Sequence, residues 1–249
     1  MATAAEYGLG THEFPRGWFM VAEAKEATAK PTPLRYFGQD LVMYRGESGK
    51  VYIVEAYCPH LGSHFAHNET SYIVKEDRQI DGDGIRCPYH GWRFNGASGK
   101  CDDIPYSPAP IPEKACIRTF PAQEWGGLIF VWYDEENGDP QYDLPPLVEW
   151  DDPAWVKWKL DYMGQVDLHP VEVLDNMVDR AHFEPIHGSE NVQFFENEFT
   201  DHVVRQGFEA GHKTLSDDIL TTDTWYTGCL LYTSPSPRDR TRSRMPSSA

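Results

Sequence analysis

Two short segments, each with one cysteine and one histidine, constrain this chain more than any other feature. The first, CPHLGSH at 58–64, contains Cys58 and His60, and the second, CPYHGW at 87–92, contains Cys87 and His90. Two thiolates and two imidazoles on paired loops can bind a zinc ion or an iron–sulfur cluster. The alternative is that the cysteines are core residues and the histidines are incidental.

The spacing of these residues favours a cluster. Structural zinc sites mostly use pairs of like ligands about two to four residues apart, but here each half mixes the two types, and one residue separates Cys58 from His60. In a mixed-ligand [2Fe–2S] centre one iron takes both thiolates and the other both imidazoles, so each loop supplies one of each. Gly62 and Gly91 follow the histidines, and we expect them to let backbone amides approach the sulfur atoms.

The surrounding residues are typical of an antiparallel β domain over about 14–140. Segments rich in aromatic and β-branched residues alternate with turn residues: GWFMVA, LRYFGQDLVMYRG, VYIVEAYC, IRCPYHGWRF and GGLIFVWYD. The proline-rich and acidic QYDLPPLVEWDDP (141–153) predicts a linker with little to pack. HNETSYIVKEDRQIDGDG (67–84) predicts a surface insertion between the two metal-binding halves.

A second domain is predicted over 150–229, which makes the chain α+β. WVKWKLDY (155–162) alternates apolar and charged residues as a half-buried strand does. A helix is predicted from about Pro170, which suits a first helical turn, to about Phe183. Pro185 should end it, because the residue before a proline disfavours the α conformation.

Composition limits the partners and the compartment. A net charge of −17 and a pI near 4.9 oppose binding to nucleic acid or an anionic membrane. No window reaches the roughly 18 apolar residues of a membrane span, and the first residues lack the features of a signal peptide. The five scattered cysteines fit a reducing compartment, so we expect a soluble, cytoplasmic or otherwise intracellular protein. The Ser-, Pro- and Arg-rich end predicts a non-native or disordered tail over 230–249.

The predicted helix carries a polar stripe that ends in a histidine. Its members recur at three- and four-residue steps and share one face: Glu172, Asp175 or Asn176, Asp179 and His182. Such a stripe is more often a solvated face than a site. Here a second histidine, His187, follows, and a break at Pro185 could bring the two imidazoles together. Two histidines and a carboxylate form ferrous sites that leave positions open for dioxygen.

With both sets of residues in one chain, the sequence resembles the Rieske non-heme iron oxygenases. The resemblance implies the ligands of two centres: Cys58, His60, Cys87 and His90 for a [2Fe–2S] cluster, and His182 and His187 for a mononuclear Fe(II). Asp179 would bridge to a cluster imidazole, His90, of a neighbouring subunit, and Asn176 would lie beside the iron. Respiratory Rieske proteins have extra cysteines where this chain has Ser63 and Tyr89, which favours the oxygenase or ferredoxin type.

From about Phe14 to about Thr227 the chain is similar to the oxygenase component of 3-ketosteroid 9α-hydroxylase and to cholesterol 7-desaturases, notably in IRCPYHGWRFNGASGKC and GGLIFVWYDEENGDP. This resemblance implies a Rieske domain followed by the incomplete start of a helix-grip (START/Bet v 1-like) catalytic domain. It also implies a ferredoxin or flavin reductase as electron donor and a homotrimer for the full-length protein. The reaction would be O2-dependent hydroxylation or desaturation of a sterol-like molecule.

The carboxylate that would complete the iron site is missing from any recognisable motif. In the family it lies far downstream of the histidines, and here only four aspartates follow His187 before the tail: Asp201, Asp217, Asp218 and Asp223. We therefore expect a C-terminally truncated oxygenase subunit. The alternatives are a Rieske electron-transfer protein or catalytically incomplete fragment, and a zinc-stabilised binding module.

Overall fold

The computed structural model describes residues 5–8, 14–158, 170–212 and 224–229. These residues form two compact units. The first unit contains residues 14–147, and the second contains residues 5–8 and the described residues from 148 onward. Antiparallel sheets with a few short helices make up both units, which confirms the predicted α+β class. None of the described helices is long and apolar enough to cross a membrane.

The first unit consists of three antiparallel sheets, ordered β2-β3-β4-β9, β1-β11-β10 and β5-β6-β7-β8. Their strands are β1 (Gly17–Glu23), β2 (Thr32–Tyr36), β3 (Gln39–Arg45), β4 (Val51–Glu55), β5 (Ile80–Asp81), β6 (Gly84–Arg86), β7 (Arg93–Asn95), β8 (Cys101–Asp103), β9 (Thr119–Phe120), β10 (Ala122–Trp125) and β11 (Leu128–Tyr133). A 3₁₀ helix (Ala24–Glu26) follows β1. The antiparallel β domain predicted from the sequence is therefore confirmed.

Strand β3 separates two cores because successive side chains point to opposite faces. Leu41 and Met43 pack in the core against β1 and β11, while Val42 and Tyr44 pack in the core beneath the β5–β8 sheet, and all four are fully buried. Burying each aliphatic side chain contributes about 1.5–3 kcal/mol. The second of these cores also contains Cys58 and Cys87.

The segment predicted to be a linker packs on the first unit along its first half. The indole of Trp18 donates to the carbonyl of Tyr142 at 2.8 Å, and that of Trp125 donates to the carbonyl of Pro145 at 2.6 Å. Leu144 is buried. The expectation of little packing is therefore wrong here, because nearby indoles need acceptors that β strands do not offer.

The predicted insertion is exposed at its start and becomes part of a sheet at its end. A short helix, α1 (Tyr72–Lys75), lies in its exposed part. Gln79, however, is buried and donates from Nε2 to the carbonyl of Phe65 at 2.5 Å. Ile80 then begins β5 and packs on the core that contains the cysteines. The insertion thus leads directly into the sheet that carries the second Cys/His loop.

The second unit holds a 3₁₀ helix (Val148–Asp151), helices α2 (Pro170–Val178) and α3 (Phe183–His187), and an antiparallel sheet ordered β12-β13-β14. Its strands are β12 (Ser189–Thr200), β13 (Val203–His212) and β14 (Thr224–Cys229). The predicted strand 155–162 is wrong over 155–158, and its remaining residues lie outside the described ones. There Trp158 packs on Trp150, with ring centroids 5.0 Å apart, so a local aromatic contact replaces a strand ladder. The predicted tail also lies outside the described residues.

Candidate metal centres

The two Cys/His segments form loops that are closed in the same way. An antiparallel bridge between Tyr57 and His64 closes the first loop, and the pairing of Arg86 with Arg93, at the ends of β6 and β7, closes the second. Each loop therefore spans six residues, 58–63 and 87–92, between two hydrogen-bonded positions. Cys58 and Cys87 are each the first residue of their loop, so the two thiols occupy equivalent positions in the two loops.

Backbone hydrogen bonds repeat between the loops. The N–H of Cys58 donates to the carbonyl of Ser63 at 2.9 Å, and the N–H of Cys87 donates to the carbonyl of Trp92 at 2.8 Å. The glycine before each acceptor donates back to its cysteine carbonyl at 2.9 Å. The two loops therefore have the same backbone hydrogen-bond pattern, although the histidine lies one position later in the second loop.

The loop glycines allow the tight turn of each loop. Gly62 and Gly91 have φ of +72° and +76°, a left-handed conformation that glycine adopts without strain. Their N–H groups donate to the cysteine carbonyls. The amides that bind the thiols are supplied by neighbouring residues: His60 for Cys58, and Tyr89 and His90 for Cys87.

The four candidate ligands are sorted by chemical type. Cys58 and Cys87 are 2% and 1% exposed, lie in the same core cluster, and each thiol shifts the pKa of the other. The rings of His60 and His90 lie 4.7 Å apart, nearer to the surface. Folding thus pairs thiol with thiol and imidazole with imidazole, although each loop supplies one of each.

The interaction between the two thiols shifts their pKa values in opposite directions. It lowers the pKa of Cys87 to about 6 against the effect of burial, with help from backbone N–H groups and the Ser63 side chain. The same interaction raises the pKa of Cys58. The thiolate is the metal-binding form of cysteine, so Cys87 is prepared for a cation. Ser63, which the resemblance places where respiratory proteins have an extra cysteine, contributes to this lowering of the Cys87 pKa.

A [2Fe–2S] cluster fits these side chains. The Nδ1 atom of His60 is buried and has no hydrogen-bond partner within the described part of the chain. Buried polar atoms are nearly always paired, so this nitrogen lacks a partner that a metal would supply. Two thiols and two imidazoles are the donor set of a [2Fe–2S] cluster with one iron on each pair.

Aromatic residues cover the candidate histidines, a role that sequence analysis did not assign to them. The Trp92 ring stacks on His60, with centroids 4.4 Å apart and planes 8° apart, and its Nε1 donates to the Tyr106 hydroxyl at 2.8 Å. Tyr89 packs on His90, with centroids 3.9 Å apart. The signal was present in CPYHGW, where Trp92 follows the His–Gly pair directly.

The helix with the second set of residues ends earlier than predicted. Helix α2 stops at Val178, and Pro185 lies in the first turn of α3, which begins at Phe183. A proline is tolerated there because the first N–H groups of a helix have no intrahelical acceptor. The break begins instead at Asp179, whose Oδ1 accepts the N–H of Ala181 at 2.8 Å.

Asp179 orients His182. The Nδ1 atom of His182 lies 2.6 Å from the Asp179 carbonyl oxygen and 3.5 Å from its Oδ2. A carbonyl can only accept, so Nδ1 carries the proton and the lone pair of Nε2 remains available to a metal. His182 is 13% exposed and Asp179 is 52% exposed, which leaves the carboxylate open to solvent on one side.

The turn and α3 bring the two histidines together. The rings of His182 and His187 lie 5.1 Å apart, and Phe183 packs on both. Phe183 is itself buried against Phe208 of β13, so the sheet fixes the pair. Asn176, in contrast, is exposed on α2.

Within the described residues, no three His, Cys, Asp or Glu side chains come together as a set that could hold one ion. Asp201 lies in the exposed turn between β12 and β13, with φ of +52°. Asp217, Asp218 and Asp223 lie outside the described residues. That this chain lacks the third iron ligand therefore stays a prediction.

Two family models match successive parts of the chain. The Rieske [2Fe-2S] domain matches residues 17–121, and the 3-Ketosteroid 9alpha-hydroxylase C-terminal domain matches residues 131–243. A Rieske domain is built around a [2Fe–2S] cluster, so the first unit implies this cofactor.

Named relatives agree with both matches. A probable 3-ketosteroid-9-alpha-monooxygenase, oxygenase component, of Rhodococcus rhodochrous is 33% identical over 81% of this chain and 48% of its own length. Cholesterol 7-desaturase of Caenorhabditis elegans is 34% identical over 71% of this chain and 39% of its own. This chain therefore spans about half the length, or less, of these relatives.

Solved structures agree as well. The crystal structure of apo dicamba monooxygenase is 25% identical, has a TM-score of 0.57, and is matched over 79% of this chain and 53% of that chain. The two domain matches, the relatives and this fold point the same way. The chain belongs to the Rieske non-heme iron oxygenases, in the group of 3-ketosteroid 9α-monooxygenase oxygenase components and cholesterol 7-desaturases.

Proposed function

We propose that this chain is an oxygenase subunit with two metal centres. The cluster ligands are Cys58, His60, Cys87 and His90, and the mononuclear Fe(II) ligands are His182 and His187, with a third ligand still to be identified. The Nδ1 atom of His60, which is buried and has no hydrogen-bond partner among the described residues, is the observation that carries the proposal. When bound, the cluster supplies electrons and the ferrous iron activates dioxygen.

The protein's own residues prepare both centres. The Cys58 thiol lowers the pKa of Cys87, and Trp92 limits the motion of the His60 ring by stacking on it. The Asp179 carbonyl fixes the tautomer of His182 so that the lone pair of Nε2 is available to the iron. We infer that the exposed carboxylate of Asp179 accepts a hydrogen bond from His90 of a neighbouring subunit, and that Asn176 lies beside the iron.

The relatives suggest the reaction class. Their names specify a 3-ketosteroid 9α-monooxygenase and a cholesterol 7-desaturase, which supports O2-dependent hydroxylation or desaturation of a sterol or steroid. A ferredoxin or flavin reductase would donate the electrons, as the term oxygenase component implies. We further propose that a homotrimer with a helix-grip catalytic domain is the working form and that it acts inside the cell.

A second candidate is a Rieske electron carrier without oxygenase activity. It is favoured by the absence of a third ligand beside His182 and His187 among the described residues. The two candidates share the cluster and differ only at the mononuclear site.

Metal analysis and electron paramagnetic resonance separate these possibilities. The purified chain, reduced with dithionite, should contain equal iron and labile sulfide in the cluster and give a Rieske-type signal. His60→Ala should lose this signal, while the matched variant His64→Ala should keep it. His182→Ala should also keep it, and it should lose any nitric oxide complex of a mononuclear ferrous ion.

Each outcome has a consequence. Further iron with a nitric oxide complex in the wild type supports the oxygenase, and its absence supports the electron carrier. A colourless zinc protein refutes both. Loss of the cluster signal in His182→Ala would show that the division into two sites is wrong.

A further inference from the structure

Arg86 binds the loop that carries Cys87 and His90. It immediately precedes Cys87, and its Nη1 donates to the carbonyl oxygen of Gly91 at 2.9 Å. Gly91 is the residue whose N–H caps the Cys87 carbonyl. One guanidinium therefore joins the start of the loop to its far side, across the two candidate ligands.

The same guanidinium is anchored in the sheet beneath the loop. Nε and Nη2 donate to Asp81 Oδ2 of β5 at 3.1 and 2.6 Å, and Nη1 donates to Asp103 Oδ2 of β8 at 2.7 Å. The Arg86 side chain is 21% exposed. A planar fork with charge-assisted bonds fixes its partners more firmly than a lysine could. Arg86 thus ties the loop to two strands that are not its sequence neighbours.

Arg93 provides an internal comparison. It lies opposite Arg86 in the β6–β7 register and carries the same charge. Its guanidinium donates to the Asp81 carbonyl at 2.7 and 3.2 Å and to Asp102 at 2.5 Å. These partners all belong to the sheet. The two arginines are paired across β6 and β7 and carry the same charge, but only Arg86 also donates to a carbonyl of the loop with Cys87 and His90.

We propose that Arg86 is a positioning residue of the [2Fe–2S] centre, which holds the second ligand loop in place and raises the reduction potential of the cluster. The inference rests on the proposed cluster ligands. A cluster becomes more negative by one charge when it is reduced, so a fixed cation next to Cys87 favours the reduced state. Without Arg86, the carboxylate of Asp103 would lose this partner, and that of Asp81 would keep only Arg93, whose Nε lies 3.4 Å from Asp81 Oδ2. Both carboxylates would then oppose reduction.

The test compares Arg86→Gln, Arg86→Lys and Arg93→Gln in the full chain loaded with its cluster. Arg86→Gln should shift the reduction equilibrium toward the oxidised state by about tenfold, or 59 mV for one electron. Arg93→Gln should shift it by less than about threefold. Both Arg86 variants should lose the cluster to a chelator at least about fivefold faster than Arg93→Gln, and Arg86→Lys should restore most of the potential because it keeps the charge.

The outcomes separate this inference from the proposed function. A wild-type chain that binds no cluster overturns both. A loaded wild type with equal shifts and equal cluster loss in Arg86→Gln and Arg93→Gln overturns only the role of Arg86. Should Arg86→Gln fail to load, Arg86→Lys decides: faster cluster loss than in the wild type supports the proposal, and an unchanged rate refutes it.

Discussion

Replacing His60 by phenylalanine should stabilise the metal-free chain. The buried Nδ1 of His60 has no partner within the described residues, and an unsatisfied buried polar group costs about 1–3 kcal/mol. Phenylalanine removes this atom and keeps a ring that can stack on Trp92. We therefore expect His60→Phe to raise the free energy of unfolding of the first unit by about 1–3 kcal/mol.

The same replacement at His64 should have the opposite sign. The Nδ1 atom of His64 accepts the N–H of Ala66 at 3.0 Å, and phenylalanine cannot accept it. Loss of this hydrogen bond should lower the free energy of unfolding by about 0.5–1.5 kcal/mol. Because His60 lies within the first loop, His64 closes it, and both undergo the same substitution, His64→Phe is a matched control.

Urea unfolding of the metal-free chain, followed by tryptophan fluorescence, measures both changes. When the cluster is loaded, the wild type should instead have a higher free energy of unfolding than His60→Phe. Cluster binding adds to the stability of the native state, and His60→Phe cannot bind the cluster. The reasoning is refuted if His60→Phe destabilises the metal-free chain, or if both variants change stability in the same direction.

Two further predictions concern the backbone. Gly99→Ala should lower the free energy of unfolding by more than about 3 kcal/mol, because φ is +68° and a Cβ would overlap the carbonyl oxygen of Ile117. Gly38→Ala, with φ of +69° and open space around it, should cost only about 1–2 kcal/mol in the same urea titration. Asp179→Ala should destabilise the turn after α2 by about 1 kcal/mol, since Asp179 accepts the N–H of Ala181. Asp179→Asn keeps that acceptor, so an equal loss of thermal stability in both variants would contradict this role.

Patterns local in sequence were enough to predict the general architecture. Aromatic and β-branched segments separated by turn residues predicted the antiparallel β unit, and the alternation of Leu41, Val42, Met43 and Tyr44 between two cores follows from the pleat of one strand. The candidate ligands were found by residue type and spacing, which are properties of the chain itself.

Where local signals compete with distant contacts, the sequence was a poor guide. Pro185 was expected to end the helix, but a first helical turn accommodates it, and the turn at Asp179 ends α2 instead. The supposed linker packs because the indoles of Trp18 and Trp125 need the carbonyls of Tyr142 and Pro145 as acceptors. In each case the deciding partner is distant in the chain or depends on the exact start of a helix.

By itself, the sequence determined that this chain forms an antiparallel β unit with two Cys/His loops and a later pair of histidines. Only the tertiary structure decided that thiol meets thiol and that imidazole meets imidazole. It also decided that Arg86 reaches the carbonyl of Gly91. Spacing fixes what each loop carries, whereas the register of separate strands fixes which atoms face each other across the loops.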